Sequence, residues 1–326
     1  MISCRDAYRR ELLELARDDE RVVCLDADTG MWDADSVTGL GERYLATGIA
    51  EATLMGVAAG LAASGRLPFV TTMATFATTR AAEQVKIDIA LHGLPVRIAG
   101  THSGLSAGHL GPTHHALEDL ALMRALPGMT IVVPADPDSA ARATHAVHGI
   151  PGPAYLRLDR AAVPFPETTA TFRLGQARTL RTGDDVTIVA CGPHPVAMAM
   201  TAADVLASQG IGARTLDLHT LRPFDADAVV LAARETGRIV TVEEHAAGGG
   251  LGDAVGEVVA EQAPCWVRRI AARQQTPAPV GNHEHLLAAA GISAAAIVAA
   301  AQDLLRPGRI QDGSAPCTRT EPPCGS

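Results

Sequence analysis

Residues 44–119 read YLATGIAEATLMGVAAGLAASGRLPFVTTMATFATTRAAEQVKIDIALHGLPVRIAGTHSGLSAGHLGPTHHALED. Glu51 stands at the mouth of a glycine- and alanine-rich segment predicted to be a helix reaching about Ser64. A short apolar run, Leu67 to Val70, predicts a strand, and a Thr/Ala/Phe loop follows it. The pattern then repeats as a helix over 77–91, a strand over 95–100 and a glycine- and histidine-rich loop over 101–113. Polar side chains capable of catalysis thus recur just after apolar strands. That is where open parallel α/β sheets bind ligands.

The same alternation extends in both directions. Upstream lie an amphipathic helix over 3–19, a buried strand over 22–25 ending in Asp26-Ala27-Asp28, and a polar loop leading to Tyr44. Downstream come a helix over 115–126, a strand over 130–133, a helix over 136–148 and a strand over 154–158. Strands alternating with helices predict an α/β fold with a mostly parallel sheet flanked by helices on both faces. The Pro- and Thr-containing stretch VPFPETTAT (163–171) predicts a linker. A second α/β alternation follows, with strands near 186, 213, 239 and 266 and a last Ala-rich helix over 293–305. Two domains are therefore expected, 1–165 and 172–306. The Pro/Gly/Ser/Thr-rich tail 307–326 has no apolar face and is expected to be disordered.

At 326 residues, 47% hydrophobic and 19% charged, the chain can bury large cores. With only 3% aromatics, those cores must be built from Ala, Val, Leu and Ile. The net charge of −9 gives no reason to expect nucleic acid or an anionic membrane as partner. No apolar run approaches the roughly 18–20 residues that cross a bilayer, and the charged N-terminus does not read as a signal peptide. Six scattered cysteines show no pairing pattern, which favours reduced thiols and a cytoplasmic location.

Three blocks, GIAEATLMGVAAGLAASG, THSGLSAGHLGPTHHALEDLALMRALPGMTIVVPAD and DLHTLRPFDADAV…ETGRIVTVEEHAAGGGLGDAV, stand in a specific order and spacing. In them the chain resembles the C-terminal half of a transketolase, and most of all the β subunit of a split transketolase. The resemblance spans nearly the whole chain to Leu305. It implies a pyrimidine-binding domain followed by a transketolase C-terminal domain, with thiamine diphosphate and Mg²⁺ as cofactors. The family holds diphosphate and metal through a GDG motif and a downstream Asn in a separate domain, and no GDG occurs here. The resemblance therefore implies a companion chain that carries the diphosphate and the Mg²⁺ ligands, in an α2β2 heterotetramer, with no metal ligand on this chain.

The resemblance also implies roles for single residues. Glu51 falls where the family's glutamate hydrogen-bonds N1′ of the aminopyrimidine, with Ala52 where Gln or His is common. The bare reading of Glu51 is an acid at a helix N-terminus, where the dipole favours it. Phe76 falls at a pyrimidine-stacking position, and Met73 and Thr79 fall where other members carry aromatics; Phe76 as plain core is the alternative. Ile49 and Asp28 fall beside the cofactor. His102 and His114 fall in the substrate channel, where a near-neutral imidazole can hydrogen-bond or move protons.

His109-Leu110 replaces the Glu-Asp that sugar transketolases carry in GEDGPTH. Leu110 accepts no hydrogen bond, so the substrate is expected to differ from the usual sugar phosphates. Arg160 aligns with a phosphate-gripping arginine, with structural ion pairing as the alternative and Arg157 a weaker candidate. His92, His102, His109, His114 and His115 crowd one region, but their spacing matches no common zinc pattern.

The expected function is a thiamine-diphosphate-dependent transketolase subunit that passes a two-carbon ketol unit to an aldehyde. One alternative is the β subunit of a 2-oxo acid dehydrogenase or a deoxyxylulose-phosphate-synthase-like decarboxylating enzyme. Another is a catalytically silent scaffold.

Overall fold

The computed structural model describes residues 2–165, 168–273 and 278–306. The first half supplies strands β1 (Val22–Asp26), β2 (Tyr44–Ala46), β3 (Leu67–Met73), β4 (Arg97–Thr101), β5 (Thr130–Val132) and β6 (Ala154–Arg157). The second supplies β7 (Arg178–Arg181), β8 (Val186–Ala190), β9 (Ala213–Asp217), β10 (Thr220–Arg222), β11 (Arg238–Ala246) and β12 (Trp266–Ala272). The first sheet runs β10-β5-β6-β4-β3-β1-β2 and is parallel except for β10. The second runs β12-β11-β8-β9-β7, parallel except for β7 at its edge. β1, β4 and β8 are buried along their whole length. Helices cover both faces, so β1 and β8 read as nearly continuous apolar runs, whereas β4 carries the buried Arg97.

Local chemistry explains the helices that pack on the sheets. Ser3 caps the helix Cys4–Asp18 by accepting from the Asp6 amide, and the helix buries Tyr8, Leu12 and Leu15. Those residues belong to the same core cluster as Ala140, Ala143 and Val147 of the helix Pro137–His148. That helix starts with Pro137 behind a reciprocal Asp136/Ser139 capping box.

Several elements differ from the sequence expectation. The helix expected over 77–91 is broken into Ala74–Thr78, Ala82–Gln84 and a π-turn over Val85–Ala90. The helix expected over 115–126 is confined to Asp119–Arg124. The polar loop before Tyr44 contains a helix, Ala34–Leu40, capped by Asp33. Strands β7 and β10 and the helix His283–Ala289 were not anticipated. Both strands are short and sit at sheet edges, where pairing rather than periodicity defines them. Residues 162–165 and 168–172 carry no helix or strand. The tail 307–326 lies outside the described residues.

The two halves share one apolar cluster. It includes Ile131 and Val133 from the first and Leu216, Leu218, Val229, Ile239 and Val255 from the second. Arg178 ties them electrostatically, reaching both Asp136 (2.5 Å) and Asp217 (2.6 Å) while itself buried. The segment His283–Leu305 is apolar and long enough to cross a membrane by length and composition. It nevertheless consists of two helices separated at 290–293, where Gly291 takes φ +81°. Leu286, Leu287, Ile297, Ala301 and Leu304 point into the core of the second domain.

Candidate active site

The candidate cofactor and substrate residues lie in loops at the carboxyl edge of the first sheet or in the turns that continue those loops. In the spatial order β6-β4-β3-β1-β2, the loops carry Arg160, then His102 to His114, then Met73 and Phe76, then Asp28, then Ile49 and Glu51. The row is a direct result of parallel strand direction.

Glu51 opens the helix Glu51–Ala63 and is buried, at 2% exposure. Its Oε2 accepts a hydrogen bond of 2.6 Å from Nη1 of Arg80. The Arg80 guanidinium also lies over the Phe76 ring, 4.1 Å from its centroid. The other neighbour of Phe76 is His114, edge-on at 5.2 Å. Glu51, Arg80, Phe76 and His114 thus form one chain of contacts. Arg80 was missed by the sequence reading because a continuous helix over 77–91 would carry it away. The break between Thr78 and Ala82 lets its side chain turn back to Glu51. Met73 and Phe76 are half-buried, and Ile49 and Leu110 are exposed. A buried carboxylate beside half-exposed apolar and aromatic surface fits a flat, polar-edged heteroaromatic ring. The edge is open rather than enclosed.

His102 follows β4 and is buried. Burial, followed by the charges of Arg5 and Arg160, pushes its imidazole down to about 4. It is therefore neutral at pH 7, and its Nδ1 lies 3.0 Å from Thr101 Oγ1. Among the described residues, the non-glycine residues at positive φ are Asp28 (+56°) and His102 (+52°). Such backbone is costly away from glycine and is concentrated at functional sites. Arg160 is exposed, and its charge is felt at His102. His109 and Leu110 form a short 3₁₀ turn at the rim, and His114 Nδ1 lies 2.9 Å from Thr113 Oγ1.

The family model for the transketolase pyrimidine-binding domain matches residues 1–166, and that for the transketolase C-terminal domain matches residues 175–297. The chain belongs to the transketolase family. It is 41% identical over 305 residues to the 6-deoxy-6-sulfo-D-fructose transketolase subunit SqwH of Clostridium sp. (strain MSTE9), covering 92% of this chain and 94% of that one. It is also 41% identical over 288 residues to a subunit of the apulose-4-phosphate transketolase of Phocaeicola vulgatus, covering 87% and 92%. A solved structure described as "Split gene transketolase, inactive beta4 tetramer" shares 40% identity with a TM-score of 0.85, covering 94% of this chain and 99% of that one. The chain is thus a subunit of a transketolase-type transferase, and its family works with thiamine diphosphate.

Other residues of this transketolase chain have structural partners. Arg157 is buried, pairs with Asp119 at 2.7 Å and donates to the carbonyls of Ala116 and Glu244. It is a strut between the halves, unlike the exposed Arg160. His92 is exposed and bonds the Ile87 carbonyl, whereas His115 is buried. The glycine-rich turn before Leu251 receives the Glu243 carboxylate, which accepts from the amides of Leu251 (2.6 Å) and Gly252 (2.8 Å). The Glu243 carboxyl group therefore occupies the N-terminus of that helix itself, and burial pushes its pKa up to about 7. A 340 Å³ cleft lined by Leu105, Pro112, His115 and Leu286 lies between the halves. None of its lining residues belongs to the Glu51 chain of contacts.

Proposed function

We propose that this chain contributes the pyrimidine half of a composite transketolase site whose diphosphate and Mg²⁺ ligands come from a companion chain, in an α2β2 assembly. The observation that carries the reading is the open row from Arg160 to Glu51, with a buried carboxylate beside half-exposed Phe76. When bound, thiamine diphosphate supplies the carbon nucleophile that takes up the two-carbon ketol unit. Glu51 hydrogen-bonds N1′ of the aminopyrimidine through its carboxyl, Phe76 and Met73 cover the ring, and Ile49 and Asp28 border it. His102, neutral and buried, and His114 bond the substrate's carbonyl and hydroxyl oxygens and move protons there. Arg160 offers a planar fork to an anionic group. The unpaired buried thiols Cys4, Cys24 and Cys191 support a reducing, cytoplasmic setting.

Calorimetric titration of thiamine diphosphate with Mg²⁺ into this chain, alone and with its companion, tests the composite site. Binding is expected only in the mixture; tight binding by the lone chain would defeat the split arrangement. Two relatives named for 6-deoxy-6-sulfo-D-fructose and apulose-4-phosphate support a substrate other than the common sugar phosphates. Leu110, exposed at the rim, is where that difference is read. In the complex, Leu110→Asp is expected to raise kcat/KM for ordinary sugar phosphates by at least about tenfold, as one regained hydrogen bond to a substrate hydroxyl allows. An unchanged ratio among donors would remove Leu110 from the specificity argument.

A further inference from the structure

Four chemistry-bearing side chains outside the row converge between the halves. Asp159 lies two residues beyond β6, and His194 lies in the first turn of the helix Pro193–Ser208. Glu244 lies on β11, and His283 opens the helix His283–Ala289. One donor atom from each lies within 4.8 Å of the others. His194 Nδ1 is 3.0 Å from Asp159 Oδ2, and His283 Nε2 is 2.7 Å from Glu244 Oε1. The two imidazole rings are 4.1 Å apart between centroids. Asp159 and Glu244 are almost fully buried, at 2% and 4% exposure.

Buried carboxylates need compensation. Two ion pairs would require both imidazoles to be cationic with their ring centroids 4.1 Å apart, which sets like charges against each other. A single divalent cation neutralises both carboxylates and leaves both imidazoles neutral. We infer that Asp159, His194, Glu244 and His283 form a binding site for a divalent transition-metal ion of the zinc class. Two imidazole nitrogens and two carboxylate oxygens without a thiolate suit Zn²⁺ and its first-row neighbours. Metal–donor bonds of about 2.0–2.2 Å set donors about 3–4 Å apart, so a span of 4.8 Å closes with about an ångström of side-chain movement.

The position gives the ion a task. Glu244 Oε1 also accepts from the Leu105 amide at 2.5 Å, in the loop that continues from His102. A Cβ at Gly104 would run into the Glu244 carboxyl, so that loop is pressed against the cluster. Asp159 directly precedes Arg160 and accepts from the Ala161 amide at 2.7 Å. The ion would fasten both loops to the second domain. Its role is structural and is separate from the Mg²⁺ of thiamine diphosphate.

The test uses the full-length chain, without an affinity tag and purified without chelator. Elemental analysis is expected to find about one zinc-class ion per chain. After chelation, Zn²⁺ titrated in excess Mg²⁺ is expected to rebind with micromolar or tighter affinity, and Co²⁺ to develop the visible absorption of a four- or five-coordinate site. His194→Gln with His283→Gln is expected to weaken Zn²⁺ binding at least about a hundredfold, and Asp159→Asn, which keeps the side-chain shape, to weaken it about tenfold. The site is refuted if the wild-type chain carries no metal and rebinds none, or if the histidine double variant binds Zn²⁺ as the wild type does. None of these readouts requires activity, so they stand whether or not the proposed reaction is correct.

Discussion

Glu51→Gln is expected to lower kcat of the reconstituted two-chain enzyme by about 10²–10⁴-fold, the range for loss of a positioned acid or base. Gln keeps the shape of the side chain and its reach to Arg80, now 2.6 Å from Oε2, but carries neither charge nor a titratable proton. Two readings of Glu51 separate here. An acid that merely favours its helix N-terminus contributes about 0.3–1 kcal/mol to stability. In that case the variant would lose a few degrees of Tm and keep its turnover. Steady-state kinetics beside a thermal melt decide between them. A variant with near-normal kcat would remove Glu51 from the chemistry and take the catalytic reading of this half-site with it.

The largest stability effect is expected at Asp119. Its Oδ2 accepts from Arg157 Nε at 2.7 Å and from the Tyr155 hydroxyl at 2.8 Å, and Asp119 is wholly buried. Asp119→Ala would strand a guanidinium that is itself 4% exposed. Breaking one side of a buried pair costs about 3–5 kcal/mol. Urea unfolding should show a markedly lower midpoint, and the double change Asp119→Leu with Arg157→Met should recover much of it by removing both charges. A single variant with an unmoved midpoint would mean that water or another acid takes over the pairing.

The α/β class, the strand alternation and the shared edge of the candidate residues were legible because parallel strands advertise themselves. β1 and the first four residues of β3 are largely apolar runs that lead into polar loops, and the polarity switch marks the carboxyl edge. The rest depended on events that leave no local pattern. Arg80 meets Glu51 because the chain breaks at 78–82, where Thr-Thr-Arg-Ala-Ala contains neither Gly nor Pro. Asp28 and His102 adopt positive φ without being glycine, so residue type gave no warning. Asp159, His194, Glu244 and His283 are spread over more than a hundred residues, and only the packing of two sheets brings them together. The crowded histidines near His102 match no common zinc pattern, and the convergent group uses none of them.

The short strand β10 belongs to the second half of the sequence and to the first sheet. Thr220 pairs with Val132 and Arg222 with Ile131, and the His219 carbonyl accepts from the Val133 amide at 2.7 Å. The Arg222 guanidinium reaches back to the carbonyls of Arg124 and Leu126. No cut in the linker therefore yields two complete sheets. The first would lose its border strand and present β5 with unpaired amides and carbonyls, an edge open to other strands. In terms of inheritance the chain is two modules, but in terms of folding it is one interlocked body. A chimera that exchanges the C-terminal module must reproduce the registry at β10 as well as the apolar interface.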